Sequence, residues 1–405
     1  MDEIEVAVIG GGAAGVAALR TLADAGVDAV LLEAKDRLGG RAHTVHHAGM
    51  PLDLGAGWLH SAPNNPWVAI AEARGFAIDR SLPRWREQWR ELGFTKAEQQ
   101  AAGVEFERFD QRLRTLEGDC AADALDPRSP WNPYLEALSG YINSAGWRSV
   151  SASDYLAYED AAVQTDWRVE SGYGALIASH AAQLRTALAT PVSAIDGSGR
   201  ELRIETPRGT LHAARAIVTV STNVLASGAI RFDPALDATL HAAVSLPLGL
   251  ADKFFLALDG AEQVPANAHL IGNPRSATTA TYTLRPFGRP VIEAMVGGDG
   301  AAALRDEGLD GAAAFAIGEL CTLIGNDWRK RLRLVAGSGW GRDQHVLGAY
   351  SHALPGEADA RKTLATPIDE RIRFAGEACS PGNFSTAHGA YETGVAAARA
   401  LLAAR

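Results

Sequence analysis

Gly10, Gly12 and Gly15 stand at G-x-G-x-x-G spacing, and Glu33 follows at the distance where an acid can reach a nucleotide ribose. The first glycine permits a tight turn, the second lets backbone approach a pyrophosphate, and the third lets a helix lie close against a strand. That chemistry is dinucleotide binding, with the acid favouring a free ribose 2′-hydroxyl. Lys253 is a second chemical group, an ammonium inside the otherwise apolar run LADKFFLAL, where it is costly without a partner. In GAGWLH, the small residues Gly55, Ala56 and Gly57 permit close approach to a flat ligand, and Trp58 and His60 follow at once. His60 reads either as a substrate-pocket residue or as a loop histidine bonded to backbone. Asp154, Glu159, Asp160, Asp166 and Glu170 would steer an ammonium group in a cleft mouth, or else form a solvated face.

These groups need elements to hold them. Ile4 to Ile9 is a short β-branched run suited to a buried parallel strand, and Ala13 to Ala25 reads as a helix with Gly26 as its cap. Ala29 to Leu32 returns as a strand, so that Ala14 lies at the turn-to-helix junction and Ala34 directly after the acid. Two strands flank the Asp196-Gly197 turn, and a third, GTLHAARAIVTVS, completes the nucleotide-binding half. Asn65 to Leu138 is polar with helical spacing, an insertion covering the site. Within it Trp85 and Trp89 are expected on one helix face, as core or interface anchors in preference to ligand contacts. Residues 265–335 read as further strands and an Ala-rich helix, with Tyr282 a candidate to line a pocket. Ile372 to Ala375 is a buried strand followed by Gly376 and Glu377, and a helix begins near Gly389.

Residues 34–41, AKDRLGGR, resemble the G-G-R extension that follows the ribose acid in FAD-containing amine oxidases. The same family is matched in order by GAGW, by GYG at residues 172–174, by the leucine-glycine-x-x-x-lysine strand ending at Lys253, by Trp340 with the later GAYS, and by FAGE and HGA near the C-terminus. The resemblance spans nearly the whole chain and is closest to polyamine oxidases. It implies an α/β fold: a discontinuous Rossmann-like FAD-binding domain (1–75, 185–240, 335–405) and a mixed-sheet and helical substrate-binding domain (76–184, 241–334).

The resemblance also implies roles. Gly39, Gly40 and Arg41 would lie against the FAD pyrophosphate and ribityl chain, and residues 55–58 would border the flavin ring. Val192 would meet the adenine through its backbone. Gly376 and Glu377 would serve the ribityl chain, and the helix after Thr386 and Ala387 would point its positive end at the flavin carbonyl and phosphate side. Lys253 would hold a water against flavin N5 and assist reoxidation. Tyr350 would wall an aromatic cage, with Thr386 opposite it, where monoamine oxidases have a second tyrosine. His60 and Trp340 complete the candidate site. Ala349 occupies the place of the tethering cysteine of mitochondrial monoamine oxidases, so FAD is expected to be non-covalent. The strand before Ser221 usually ends in proline in this family, a small departure here.

A formal net charge of −10 over 405 residues argues against nucleic-acid binding and would draw in a cationic substrate. Cys120, Cys321 and Cys379 are few and scattered, indicating neither disulfides nor a metal cluster. A first strand reached by Ile4, the lack of an apolar run near the roughly 18 residues needed to span a bilayer, and the end at Arg405 give the expectation of a cytoplasmic chain, monomer or homodimer, off the membrane. The implied reaction is oxidation of an amine C–N bond by hydride transfer to flavin N5, giving an imine and, when O2 reoxidises the flavin, hydrogen peroxide. A polyamine is the expected substrate. The alternatives are a monoamine oxidase, an L-amino-acid oxidase using Arg342 or Arg275 for the carboxylate, a flavin desaturase without oxidase turnover, and a non-catalytic protein that keeps FAD for stability. Histone demethylation is disfavoured because the helical tower of that branch has no room here.

Overall fold

The computed structural model describes residues 3–404. Glu3–Ile9 is a strand whose Ile4, Val6, Ala7 and Val8 are all buried, as a strand covered on both faces requires. Gly10 turns the chain at φ +103°, the helix Ala13–Asp24 follows, and Ala29–Leu32 returns parallel to the first strand. A Cβ at Gly15 would sit 1.9 Å from the Gly10 carbonyl oxygen, so the third glycine is a packing requirement.

Among the described residues, eight strands share this sheet. Its path runs Arg231–Asp233, Ala194–Asp196, Leu202–Thr206, Gly209–Val218, Glu3–Ile9, Ala29–Leu32, Thr186–Ala187, with Ile372–Phe374 pairing beside the far half of Gly209–Val218. Parallel register aligns Ile9 with both Leu32 and Val218, and Val218 with Phe374. Four strands therefore end at one edge, and Gly10, Glu33, Thr219 and Gly376 leave from it. That edge is where open α/β sheets bind ligands. The C-terminal helix Ala387–Ala403 crosses Ala13–Asp24 so closely that a Cβ on Gly394 would lie 2.1 Å from the Ala14 oxygen.

A second sheet has the order Ala268–Ile271, Thr281–Leu284, Val291–Gly297, Ala251–Leu258, Leu332–Gly337. Every neighbouring pair in it is antiparallel, so the mixed pairing belongs to the first sheet. Its strands alternate: Phe254, Leu256, Tyr282 and Ile292 bury one face against the helix Gly308–Ile324, while Lys253, Thr281, Glu293 and Met295 turn to the other. Tyr282 is thus a core residue, fully buried with its hydroxyl bonded to Glu319 (2.7 Å).

The insertion departs from the expected helices over residues 74–95 and again over 114–131. Pro66–Ala73 and Lys96–Leu113 are helical, the latter opened by a Thr95/Glu98 capping box. Residues 81–88 between them are irregular, and Trp89–Glu91 is a short 3-10 turn with Arg90 in a left-handed conformation. Pro83 disfavours helix before it, and Gln88 is instead bonded to both backbone groups of Ile271 (2.8 and 2.9 Å).

Candidate active site

A cavity of about 1300 Å³ opens from the carboxyl edge of the first sheet and continues along the polar face of the second. Of the residues expected to hold FAD or to take part in the chemistry, all but Gly15 line it.

At the nucleotide end Glu33 reaches back across the groove. Its Oε2 accepts from Gly11 N at 2.5 Å and its Oε1 from Lys35 N at 2.8 Å, which fixes the glycine turn to the end of the second strand. Cβ atoms built on Gly12 and Gly376 meet nothing within 4 Å. Gly12 also starts its helix without a side-chain cap, leaving backbone donors for an anion. Open glycines, an uncapped helix end and an acid on the cavity wall at the end of the second strand fit a dinucleotide such as FAD. Val192 and Ala34 line the same end.

One expectation changes at this end of the cavity. Glu377 was read as an acceptor for ribityl hydroxyls, but its carboxylate is filled by the protein: Arg41 Nη1 (2.8 Å) and Ser351 N (3.3 Å) on Oε1, Ser351 Oγ (2.6 Å) and Ser385 N (2.9 Å) on Oε2. Burial alone would raise its pKa, yet Arg41, Ser351 and Arg361 hold it below the usual range. Glu377 ties the C-terminal segments to Arg41, which also donates to the Ala349 oxygen (2.8 Å). Thr386 lines the cavity, and its hydroxyl also caps the last helix, accepting from Gly389 N (3.0 Å) and donating to the Asn383 oxygen (2.6 Å).

Lys253 is 9% exposed, which rules out the snorkelling alternative. Its Nζ lies 3.0 Å from Glu293 Oε1 and donates to the Gly55 oxygen at 2.9 Å. Lys253 pairs with Met295 in the ladder and Phe255 with Glu293, so the two charges are diagonal neighbours on one face. Sequence reasoning missed Glu293, although an acid within VIEAMV was the same signal that made Lys253 conspicuous. Trp340 is buried against Leu54, to whose carbonyl its indole donates at 3.3 Å. Tyr350 donates its hydroxyl to the Tyr141 oxygen (2.5 Å), and burial raises its pKa. Tyr141 and Tyr158 line the cavity as well and were not foreseen.

The acids separate. His60 Nδ1 bonds Asp166 Oδ1 at 2.9 Å, and both line the cavity. Glu159 lines it too, its pKa raised by burial and by nearby Asp110. Asp154 is no steering group: it is 3% exposed and grips Arg361 with both oxygens (2.6 and 2.8 Å). Asp160 pairs with Arg114 at the surface, and Glu170 is exposed outside the cavity lining. Trp85, expected as an anchor, also lines the cavity and packs edge-to-face on Trp58, centroids 4.7 Å apart. Arg275 is held by Glu98 and Trp131, and neither it nor Arg342 lines the cavity. Among the described residues no metal-binding group of acids, histidines or cysteines occurs, and no helix is long and apolar enough to cross a membrane.

The family model for flavin-containing amine oxidoreductases matches residues 67–402, and one for an NAD(P)-binding Rossmann-like domain matches residues 8–73. Polyamine oxidase 3 of Oryza sativa subsp. japonica is 30% identical over 96% of this chain and 87% of its own length. Polyamine oxidase 2 of Arabidopsis thaliana is 29% identical over 97% and 87%. Lysine-specific histone demethylase 2 of Homo sapiens is 25% identical over 98% of this chain, but only 53% of its own. A solved structure of putrescine oxidase bound to putrescine superposes with a TM-score of 0.81 over 99% of both chains, at 17% identity.

Proposed function

The chain belongs to the flavin-containing amine oxidoreductases, and from that premise we propose that its substrate is a polyamine, oxidised at a carbon–nitrogen bond with release of hydrogen peroxide. The observation that carries this reading is a shared lining: the dinucleotide cradle and the acids Asp166 and Glu159 belong to one cavity. Curated relatives at 28–30% identity that are named polyamine oxidases support it.

FAD, when bound, supplies the acceptor for the two electrons that leave the substrate carbon. It would be held without a covalent bond by Gly12, Glu33, Arg41, Val192 and Gly376. Acids draw the cationic amine inward, and burial then favours its neutral form, which alone has a lone pair to expel hydride. Tyr350, fixed by its bond to Tyr141, orients that nitrogen. Lys253, held by Glu293 and Gly55, supplies a positioned ammonium for the oxygen half of the cycle. The walls exclude water from the reacting carbon.

The deciding experiment is an anaerobic titration of purified holoenzyme with spermidine, spermine, N-acetylated polyamines, putrescine, aromatic monoamines and amino acids, followed by air. Bleaching by polyamines, with colour and peroxide returning in air, is expected. Bleaching by amino acids or monoamines alone would move the substrate class, and no bleaching by any of them would overturn the oxidase reading.

A further inference from the structure

Glu293 lines the cavity, yet one of its oxygens is already committed: Oε1 lies 3.0 Å from Lys253 Nζ. The lysine itself is closely held. Its backbone N–H donates to Ser338 Oγ (2.9 Å), its carbonyl accepts from Ser338 N (2.8 Å), and its Nζ donates to the Gly55 oxygen (2.9 Å). A Cβ built on Gly57 would come within 3.1 Å of that nitrogen, so the glycine leaves room for it. An ammonium has three N–H groups, and with two taken the third is left for the cavity that Lys253 also lines. The other charges nearby are engaged elsewhere. Asp53 feels the lysine, but its oxygens accept from Thr44 Oγ1 (2.5 Å), Tyr173 N (2.9 Å) and Gly174 N (3.3 Å). Arg289 interacts with Asp53 and Glu293 while donating to the Pro51 and Glu170 oxygens (2.7 and 2.5 Å). Asp252 accepts from Ser338 Oγ (2.9 Å) and Trp340 N (3.1 Å), and residues 335–337 on the neighbouring strand carry no charge. Among the described residues, Glu293 is the one carboxylate within ion-pair distance of Lys253.

An amine that becomes an imine gives up two electrons and two protons, and oxygen that takes them all leaves as hydrogen peroxide. The first electron to arrive makes oxygen an anion, so a fixed cation beside it lowers the barrier where water is excluded. That service needs a charged lysine, and a desolvated ammonium keeps its proton best beside an opposite charge. We propose that Glu293 is a positioning residue for the oxygen step: it keeps Lys253 an ammonium and aims its remaining N–H into the cavity. The carboxylate then governs the oxygen half of the cycle and leaves the amine half to other groups. This rests on the amine-oxidation reading with oxygen as acceptor, and adds to it the group that sets the pH range of reoxidation.

In the test, FAD-loaded enzyme is reduced anaerobically by spermidine or by dithionite, then mixed with oxygenated buffer from pH 6 to pH 10 while the flavin colour is followed. In Glu293→Gln, reoxidation is expected to fall about tenfold at pH 9 and far less at pH 6, because the unpaired lysine loses its proton at lower pH. Reduction by spermidine should change little. Glu293→Asp, with its carboxylate one methylene short, should lie between the two, and its own shift decides if Glu293→Gln does not fold. An unshifted profile, or a loss confined to spermidine reduction, overturns the proposal, as does a dithionite-reduced parent that oxygen leaves reduced. If spermidine reduces nothing, the dithionite arm still decides, and the amine reading falls alone. The apoprotein gives a reading without flavin. In Glu293→Gln the folded lysine pKa lies below its unfolded value of about 10.4, so the unfolded chain keeps a proton that the folded one sheds. The variant's deficit in unfolding temperature against the parent should therefore shrink from pH 7 to pH 10, and a constant deficit overturns the proposal.

Discussion

Lys253 is buried and Glu293 half-buried, and the two pair across neighbouring strands, 3.0 Å apart. Taking either partner away strands the other charge in a poorly solvated place, and that cost exceeds the net worth of the pair. Lys253→Met and Glu293→Gln should each destabilise the apoprotein by about 2–4 kcal/mol in denaturant unfolding. The double variant should lose less than the sum, with a coupling of about 1–3 kcal/mol; strict additivity would mean the two charges act independently. Lys253 was conspicuous in sequence because a cation inside an apolar run demands a partner. Its partner was not, because diagonal contact depends on which strands are neighbours and in what register. The Asp154–Arg361 pair was hidden in the same way, since an acid gives no sign in sequence of whether its cation is solvent or a residue two hundred positions away.

At the level of elements, the glycine turn shows two different demands on one motif. Gly15 has no room for a side chain because of the chain's own backbone, whereas a Cβ on Gly12, at φ −76°, points into open cavity. Gly12→Ala should therefore leave apoprotein stability within about 1 kcal/mol of the parent and weaken FAD binding about tenfold or more. Thermal unfolding of the apoprotein and a flavin titration check both halves, and a variant that unfolds without losing affinity would contradict the assignment. The segment around Trp85 shows where a local pattern misleads. Two tryptophans four apart imitate a helix face, and only the hydrogen bonds of Gln88 to a distant strand reveal that the backbone is extended and irregular there.

Over the whole molecule, His180, His269, His352 and His388 are each under 10% exposed, and burial holds their pKa values down at about 4. They are neutral when folded, so between about pH 6.5 and 4 the unfolded chain binds protons that the folded chain refuses, and stability falls as pH falls through that window. At pH 5 each contributes a loss of about 2 kcal/mol. Asp53 and Glu319, raised by burial, work in the opposite sense and offset part of it. The unfolding temperature should drop by roughly ten degrees between pH 7 and pH 5, and an unchanged value across that range would mean these histidines are not held neutral. None of this was visible beforehand, because a histidine's burial is a property of the packed chain. What the sequence determined by itself was local: strand, glycine turn, helix and acid follow one another within 33 residues, and their chemistry depends only on neighbours along the chain. The order of later segments similarly fixed the architecture. Tertiary structure decided the partners: Glu377 spent on Arg41, Thr386 spent on a helix end, Glu293 beside Lys253, and Trp85 beside Asp166's histidine. A side chain's type sets what it can bond, but whether that capacity is used up or left for a ligand is settled by groups that only folding brings within 3 Å.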